Sequence, residues 1–469
     1  MTTAYAGHSS AKNEPSPTIN TDGTVDGTMI DDDPAITVFP DHTSIAKSDA
    51  ALAQALRDGR ALFQAKFNIV DGAGRPFATG DSKPTPRLAP GAHFSRIAGP
   101  DAAACSGCHN DPVVGGSGDS AANVFVGAHF TDPPTRDASP NVTNERNTVS
   151  MQGSGLIERV AAEMTGVLQA LRDEGQAKAQ ETQKVIDIDL VAKGVSFGSI
   201  RAHPNGYIDY RKLEGVDHDL IIKPFGIRGV AISLREFTVA ALNQHHGMQA
   251  VERFGWERTG VVDFDRDGVE EEFSLGQVTA LTLFQADLAP PRPKSASIAK
   301  VRRQERRGQE LFGEVGCTDC HRSLPLEDPV FREPNLYNRP GTLSAHDTDQ
   351  VVALDLSHHA ERTRDGRYVV HAFTDLKRHD MCDNEVRFFC NERLRQDNVP
   401  LELFMTQKLW DLATSAPYGH RGDCSTLSQV IVGHGGEARQ ARDAYLDLPR
   451  KDRRAILSYL KTLGRADAK

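Results

Sequence analysis

Cys105-Ser-Gly-Cys108-His109 and Cys317-Thr-Asp-Cys320-His321 are two copies of one five-residue pattern, 212 positions apart. Cys-x-x-Cys-His is the attachment signature of c-type haem. Each thiol adds across a vinyl group, and the adjoining histidine is forced against one face of the iron. Seven Cys and 17 His in 469 positions would give about 0.004 copies of this pattern by random placement. Zinc sites also use Cys-x-x-Cys pairs, but a histidine at the next position in both pairs favours haem. The sequence therefore predicts two covalent haem c groups, with His109 and His321 as proximal iron ligands.

The rest of the chain must supply two haem-binding units. Its length suits two domains with additions, and 39% hydrophobic with 25% charged residues describes a globular chain. No run of 18 apolar residues occurs, so no membrane span is expected. A net charge of −10 argues against nucleic acid and suits a basic redox partner. The stretch Met1–Pro40 is polar, with neither a basic start nor an apolar run, and residues 1–45 are expected to form a flexible tail. Haem c is installed outside the bacterial cytoplasm, so a periplasmic or secreted protein with its signal peptide removed is expected.

A weak internal repeat supports two related halves. Gly59-Arg-Ala-Leu-Phe63 precedes the first motif and Gly308-Gln-Glu-Leu-Phe312 the second. Each closes a helical pattern. Phe312 stands five residues before Cys317, whereas 42 residues separate Phe63 from Cys105, which implies an inserted loop. Ala289-Pro-Pro-Arg-Pro293 cannot continue a helix or a central strand. It sets the expected domains at 46–288 and 300–469, joined by a Pro-rich linker at 289–299.

Leu156, Val160, Met164, Val167, Leu168 and Leu171 predict one apolar helix face. Further helices are expected over Leu234–Gln249, ending near Gly247, over Ser297–Phe312, and over Lys451–Leu463. Val185–Val191 and Tyr368–His371 read as short strands. The expected fold is mainly α: two cytochrome c-like haem domains with long loops and minor β ribbon.

The sixth iron positions decide the chemistry, because a haem with two strong ligands passes electrons and an open one binds small oxidants. His245-His246-Gly247-Met248 offers a distal ligand to the first haem, with His246 also a candidate catalytic residue. His379 and Met381 are candidates in the second half. The loop Pro417-Tyr418-Gly419-His420-Arg-Gly422 presents His420 and Tyr418 as ligand or catalytic groups there, with His434-Gly-Gly-Glu437 in a supporting place. His93 and His129 lie near the first motif. Asp263, Asp265, Asp267 and Glu272 alternate before and after a glycine in the manner of a calcium loop, although Ser274 stands where an EF-hand needs Glu. Trp256 is a candidate electron relay. Cys382 and Cys390 are close enough in sequence to bridge; pairing of either with Cys424 remains open.

Taken together, the haem motifs, the Gly-x-x-Leu-Phe segments and the Pro417–Gly422 loop resemble the bacterial di-haem cytochrome c peroxidase superfamily. Thr374-Asp-Leu-Lys-Arg-His379-Asp-Met381, Leu409-Trp410-Asp-Leu, Ala416–Gly422, Ser425-Thr-Leu and Gly433-His-Gly-Gly-Glu437 bring the chain closest to its di-haem (thiol) oxidoreductases. The resemblance is specific over about 300–469 and around Cys105. It implies peroxide reduction fed by a small redox protein, a cytochrome c or a cupredoxin. Gly419 stands where the peroxidases place a ligating Met, which leaves Tyr418 or His420 to substitute. The superfamily also holds rubber oxygenases, so oxygenase chemistry and simple electron carriage are the rival expectations.

Two haems should remain on the denatured protein, read by mass and by the reduced pyridine spectrum. Cys317→Ala should lower the count by one, and a protein carrying zinc without haem would overturn this reading.

Overall fold

The structure, a computed structural model, describes residues 33–73, 102–118, 148–264, 268–392 and 395–464, and the backbone of strands 85–88, 92–94, 121–125 and 143–147. Helices carry both hydrophobic cores, and strands among the described residues form only two- and three-stranded sheets. The largest is an antiparallel sheet of Ile186–Ala192, Val195–Ala202 and Ile208–Leu213. Its first strand buries Ile188, Leu190 and Ala192 on one face, as its alternation requires.

The internal repeat proves to be a repeated helix crossing. Helix Asp49–Gln64 packs against Leu275–Ala286, and helix Ala299–Glu314 packs against Arg450–Leu460. Gly59 and Gly308 lie at the crossings. A methyl group at Gly59 would stand 2.0 Å from the Ala280 carbonyl oxygen and 2.7 Å from Phe284 Cβ. At Gly308 it would stand 2.0 Å from the Ala455 carbonyl oxygen and 2.9 Å from Tyr459 Cβ. One turn on, Phe63 meets the Phe284 ring at 5.3 Å and the His109 ring at 6.4 Å. Phe312 meets Tyr459 at 5.6 Å and His321 at 6.4 Å. The same offset of four residues recurs on all four helices, so each half builds the same packing around the histidine of its Cys-x-x-Cys-His motif.

The cores do not divide where the prolines suggest. The larger one contains Leu62, Phe63, Leu156, Met164 and Leu281, but also Leu324, Phe331, Leu356, Val370 and Trp410. The smaller one holds Leu311, Phe312, Leu427, Ile456, Tyr459 and Leu460. Residues of the segment 324–410 therefore return to the first core. Buried charge accompanies them: Arg235, fully buried, bonds Glu333 at 2.5 Å and Glu252 at 2.9 Å. A proline run breaks a helix locally, but cannot show which core later strands join.

Most of the expected helices form, with shifted ends. The long helix spans Ser154–Thr182 and buries Leu156, Val160, Met164 and Leu168, while Val167 is exposed. Leu234–Ala241 passes into a π-turn, Leu242–His246, and ends at Gly247 with φ of 72°, a left-handed position that suits glycine. Residues 33–45 correct the expectation of a tail. Ile36 is buried, its N–H and that of Ala35 donate to Asp71, and His42 contacts Thr279 Oγ1 at 2.9 Å.

Gly308→Ala should destabilise the protein by roughly 1–3 kcal/mol, as overpacking does, and Gly59→Ala similarly. Denaturant unfolding with an unchanged slope would register this; an unaltered midpoint would deny the crossing its role.

Candidate functional site

Each attachment motif forms a single tight turn, Cys105–Cys108 as α-helix and Cys317–Asp319 as 3-10 helix. Each following histidine is anchored by its Nδ1–H. His109 donates to the Gly116 carbonyl at 3.3 Å, and His321 to the Phe373 carbonyl at 2.9 Å. Burial lowers both rings to about 4, so both are neutral near pH 7. A neutral imidazole held through Nδ1 leaves its Nε2 lone pair for a metal. The residues present therefore fit two covalent haems.

The surroundings of the two histidines differ. His109 lines a cavity of about 60 Å³, room for a few water-sized molecules. Ile157, Phe225, Leu234, Phe237, Leu376 and Met405 give it an apolar wall, and Lys408 lines it too. Burial alone lowers Lys408 to about 7. The charges of His245 and Lys408 are both felt at His109, behind the dominant effect of burial. His246, in contrast, is tied to the attachment turn. Its Nδ1–H donates to Ala102 O at 2.7 Å, and its Nε2 lies 3.5 Å from Cys105 Sγ. The π-turn sets the two neighbouring imidazoles in these different positions, with their rings 6.4 Å apart.

At His321 the neighbour is His434. Its charge is felt there. Its Nδ1–H donates to Val430 O at 2.7 Å, and burial lowers its pKa. His434 thus shares the anchoring of the two proximal histidines. His379, expected as a ligand, has both nitrogens engaged: Nε2 with Asp375 at 2.8 Å and Nδ1 with Glu437 at 2.7 Å. Burial opposes its charge, but hydrogen bonds to Asp375, Cys320 and Glu437 outweigh it and raise His379 to about 11. A doubly bonded imidazolium offers iron no lone pair. Met381 packs beside Ile227, Phe389 and Phe404.

In the loop Pro417–Gly422, Tyr418 packs on the smaller core, as do Cys317 and Phe373. His420 is buried against Phe388, Phe389 and Phe404. Its Nε2–H donates to Asn391 Oδ1 at 2.7 Å. Burial, followed by Arg146, Arg421 and Arg228, lowers it to about 3. Its backbone oxygen receives Asn147 N–H, pinning the loop to the strand Thr143–Asn147. Tyr418 donates to Leu412 O at 2.6 Å. Phe389 separates His420 from His434, stacking on the first and meeting the second edge-on.

The remaining candidates scatter. Asp265, Asp267 and His129 lie outside the described residues, as does the side chain of His93. Asp263 accepts from Gly268 N–H at 3.1 Å. Glu272 accepts from Gln249 N–H at 2.6 Å, so it steadies the His245–Met248 segment directly. Trp256, at the start of a short helix, is 61% exposed. Cys382 and Cys390 are bonded, and Cys424 is buried and free.

Two short segments touch both sites. Phe373 receives the His321 proton, while Thr374 lines the His109 cavity. Lys408 lines that cavity, Leu409 packs on the smaller core, and Trp410 belongs to the larger one. Sequence reasoning missed Lys408, since a lone lysine in Gln407-Lys408-Leu409 carries no mark of burial.

His379 contributes stability that is complete below its ordinary pKa of about 6.5 and is lost as pH rises towards 11. His379→Gln, which leaves Asp375 buried without its charge partner, should cost about 3 kcal/mol at pH 6 and less at pH 9. Equal losses at both values would show that the ring is held neutral.

No known protein-family profile matches the chain, and no curated protein matches it significantly. Among solved structures, hydrazine synthase of Kuenenia stuttgartiensis under xenon pressure is 13% identical, aligned over 99% of this chain and 100% of that one, with a TM-score of 0.38. A MauG-like protein associated with microbial copper homeostasis is 18% identical over 66% of this chain and 88% of its own, with a TM-score of 0.26. No helix of the described residues is long and apolar enough to cross a membrane.

Proposed function

We propose that the chain is a di-haem c oxidoreductase in which the His109 site receives a small oxidant, hydrogen peroxide in the first instance, and the His321 site passes electrons to it. The observation that carries this reading is the asymmetry between two otherwise matched cradles. His109 lines a cavity with a lysine in its wall, whereas His321 feels the charge of a second buried, anchored histidine, His434.

Bound haem supplies one-electron redox chemistry at iron. The chain's own groups do the rest. His434, with Nδ1 fixed on Val430 O, would offer Nε2 to the second haem, an arrangement that suits electron transfer. The apolar wall at His109 excludes water. Peroxide reduction consumes two electrons and two protons and releases two waters, so the site needs a proton donor beside the breaking O–O bond. Lys408, close to half-protonated at neutral pH, can give a proton to the departing oxygen and recover it from solvent. Segments 373–374 and 408–410 join the sites. Electrons would enter from a small redox protein, a cytochrome c or a cupredoxin, in the periplasm or outside the cell.

A second reading rests on the lining itself. Ile157, Phe225, Leu234, Phe237 and Leu376 would also receive an apolar substrate, as an oxygenase of the rubber-oxygenase kind requires.

Electron paramagnetic resonance of the resting protein should show one low-spin and one high-spin or weakly ligated haem. His434→Ala should turn the low-spin signal high-spin. Lys408→Met should keep both haems and lower peroxide turnover by about 10²–10⁴-fold. Because the acid form of Lys408 prevails below about pH 7, wild-type turnover should fall as pH rises through that value, and this limb should vanish in Lys408→Met. Two low-spin haems that bind neither cyanide nor peroxide would make the chain an electron carrier. Peroxide-independent oxygen uptake with an apolar substrate would favour the second reading.

A further inference from the structure

Away from both haem motifs, Asp287, His358 and His359 bring three ligand atoms together, all within 4.8 Å of one another. We propose that they form a binding site for a divalent transition-metal ion of the zinc type. Asp287 Oδ1 lies 3.4 Å from His359 Nε2 and 3.8 Å from His358 Nε2. Zinc bonds to imidazole nitrogen and carboxylate oxygen are about 2.0–2.2 Å, which puts neighbouring donors of a tetrahedral site roughly 3.3–3.5 Å apart. The observed separations are within a few tenths of an ångström of that spacing. His358 is exposed and His359 only part-exposed, so rotation of the freer side chain closes the difference. Two imidazoles and one carboxylate suit zinc and its first-row neighbours better than calcium or magnesium, which prefer all-oxygen sites.

The three residues are held in place before any ion arrives. Asp287 caps the C-terminal end of helix Leu275–Ala286, where the negative end of the helix dipole favours a cation. The His358–His359 turn is anchored by fully buried Leu356, whose carbonyl receives His359 N–H at 2.9 Å. The His358 and His359 rings lie 3.8 Å apart, with both Nε2 atoms turned towards one carboxylate oxygen. Without an ion, His359 Nε2–H donates to the Asp287 carbonyl at 3.0 Å. With one, the ring proton moves to Nδ1, Nε2 gives its lone pair to the metal, and solvent completes the coordination. That solvent-accessible position would suit exchange of the ion with the medium.

The place in the fold gives the site a consequence. Asp287 ends the helix that crosses Gly59, immediately before the Pro-rich segment. His358 and His359 belong to the stretch that returns from the second half of the sequence to the first core. An ion here would tie these two strands of the architecture together on the outside, and raise stability by binding the native state alone. No haem ligand is involved, so the inference stands or falls separately from the proposed function.

The test uses the full chain with both haems in place, treated with a chelator and titrated with Zn²⁺ against a chromophoric competitor. One equivalent should bind, and saturating Zn²⁺ should raise the melting temperature without changing the haem bands. His359→Ala and Asp287→Asn should each weaken Zn²⁺ binding at least tenfold and abolish the rise in melting temperature. His358→Ala, at the most exposed ligand, serves as the variant least able to disturb folding and should weaken binding similarly. A wild-type protein that takes up no stoichiometric Zn²⁺, or one whose binding survives all three substitutions, would overturn the proposal.

Discussion

The structure depends on two close helix crossings at Gly59 and Gly308. Removal of one Cβ at each lets a helix backbone approach the carbonyl of Ala280 or Ala455. That approach brings Phe63 or Phe312 against the histidine of an attachment motif. Packing at the density of a protein interior leaves no slack for an extra methyl group. The crossing therefore fixes the histidine as firmly as its own hydrogen bond does. The two halves also match at these crossings, residue for residue over an offset of four on each helix.

From that common unit the two sites diverge through what the intervening chain adds. The first half inserts a long helix, a three-stranded sheet and the π-turn that carries His245 and His246. The second half sends residues of the segment 324–410 back to the first core. One face of that returning chain builds the wall of the His109 cavity with Thr374, Leu376 and Lys408. Phe373, one residue from Thr374, orients His321. A single segment thus shapes the His109 cavity and orients His321, so a change in its position would be felt at both.

Charge is placed with the same economy. His379 is kept cationic between Asp375 and Glu437, a neighbour that would moderate the potential of a haem at His321. His420 is kept neutral among Arg146, Arg228 and Arg421, where the loop Pro417–Gly422 closes onto a strand of the first half. The resemblance to di-haem peroxidases directed attention to this loop because of its missing methionine. In the fold its backbone accepts the Asn147 N–H, and the histidine one short helix later, His434, is the one whose charge is felt at His321.

The sequence by itself determined the elements whose signals are local. Covalent haem attachment needs only five consecutive residues, so both motifs were legible. The apolar stripe of Ser154–Thr182, the stop at Gly247 and the Gly-x-x-Leu-Phe repeat are likewise written in spacings of three and four. Only the tertiary structure decided what surrounds each motif histidine, because those neighbours are remote in sequence: Lys408 stands 299 positions from His109, and His434 stands 113 from His321. Whether a histidine is left with a free nitrogen, held as an imidazolium or packed as a neutral ring depends on what its two nitrogens meet, as His321, His379 and His420 show. That outcome is set by burial and by hydrogen bonds across the fold, and neither leaves a periodic trace in the chain.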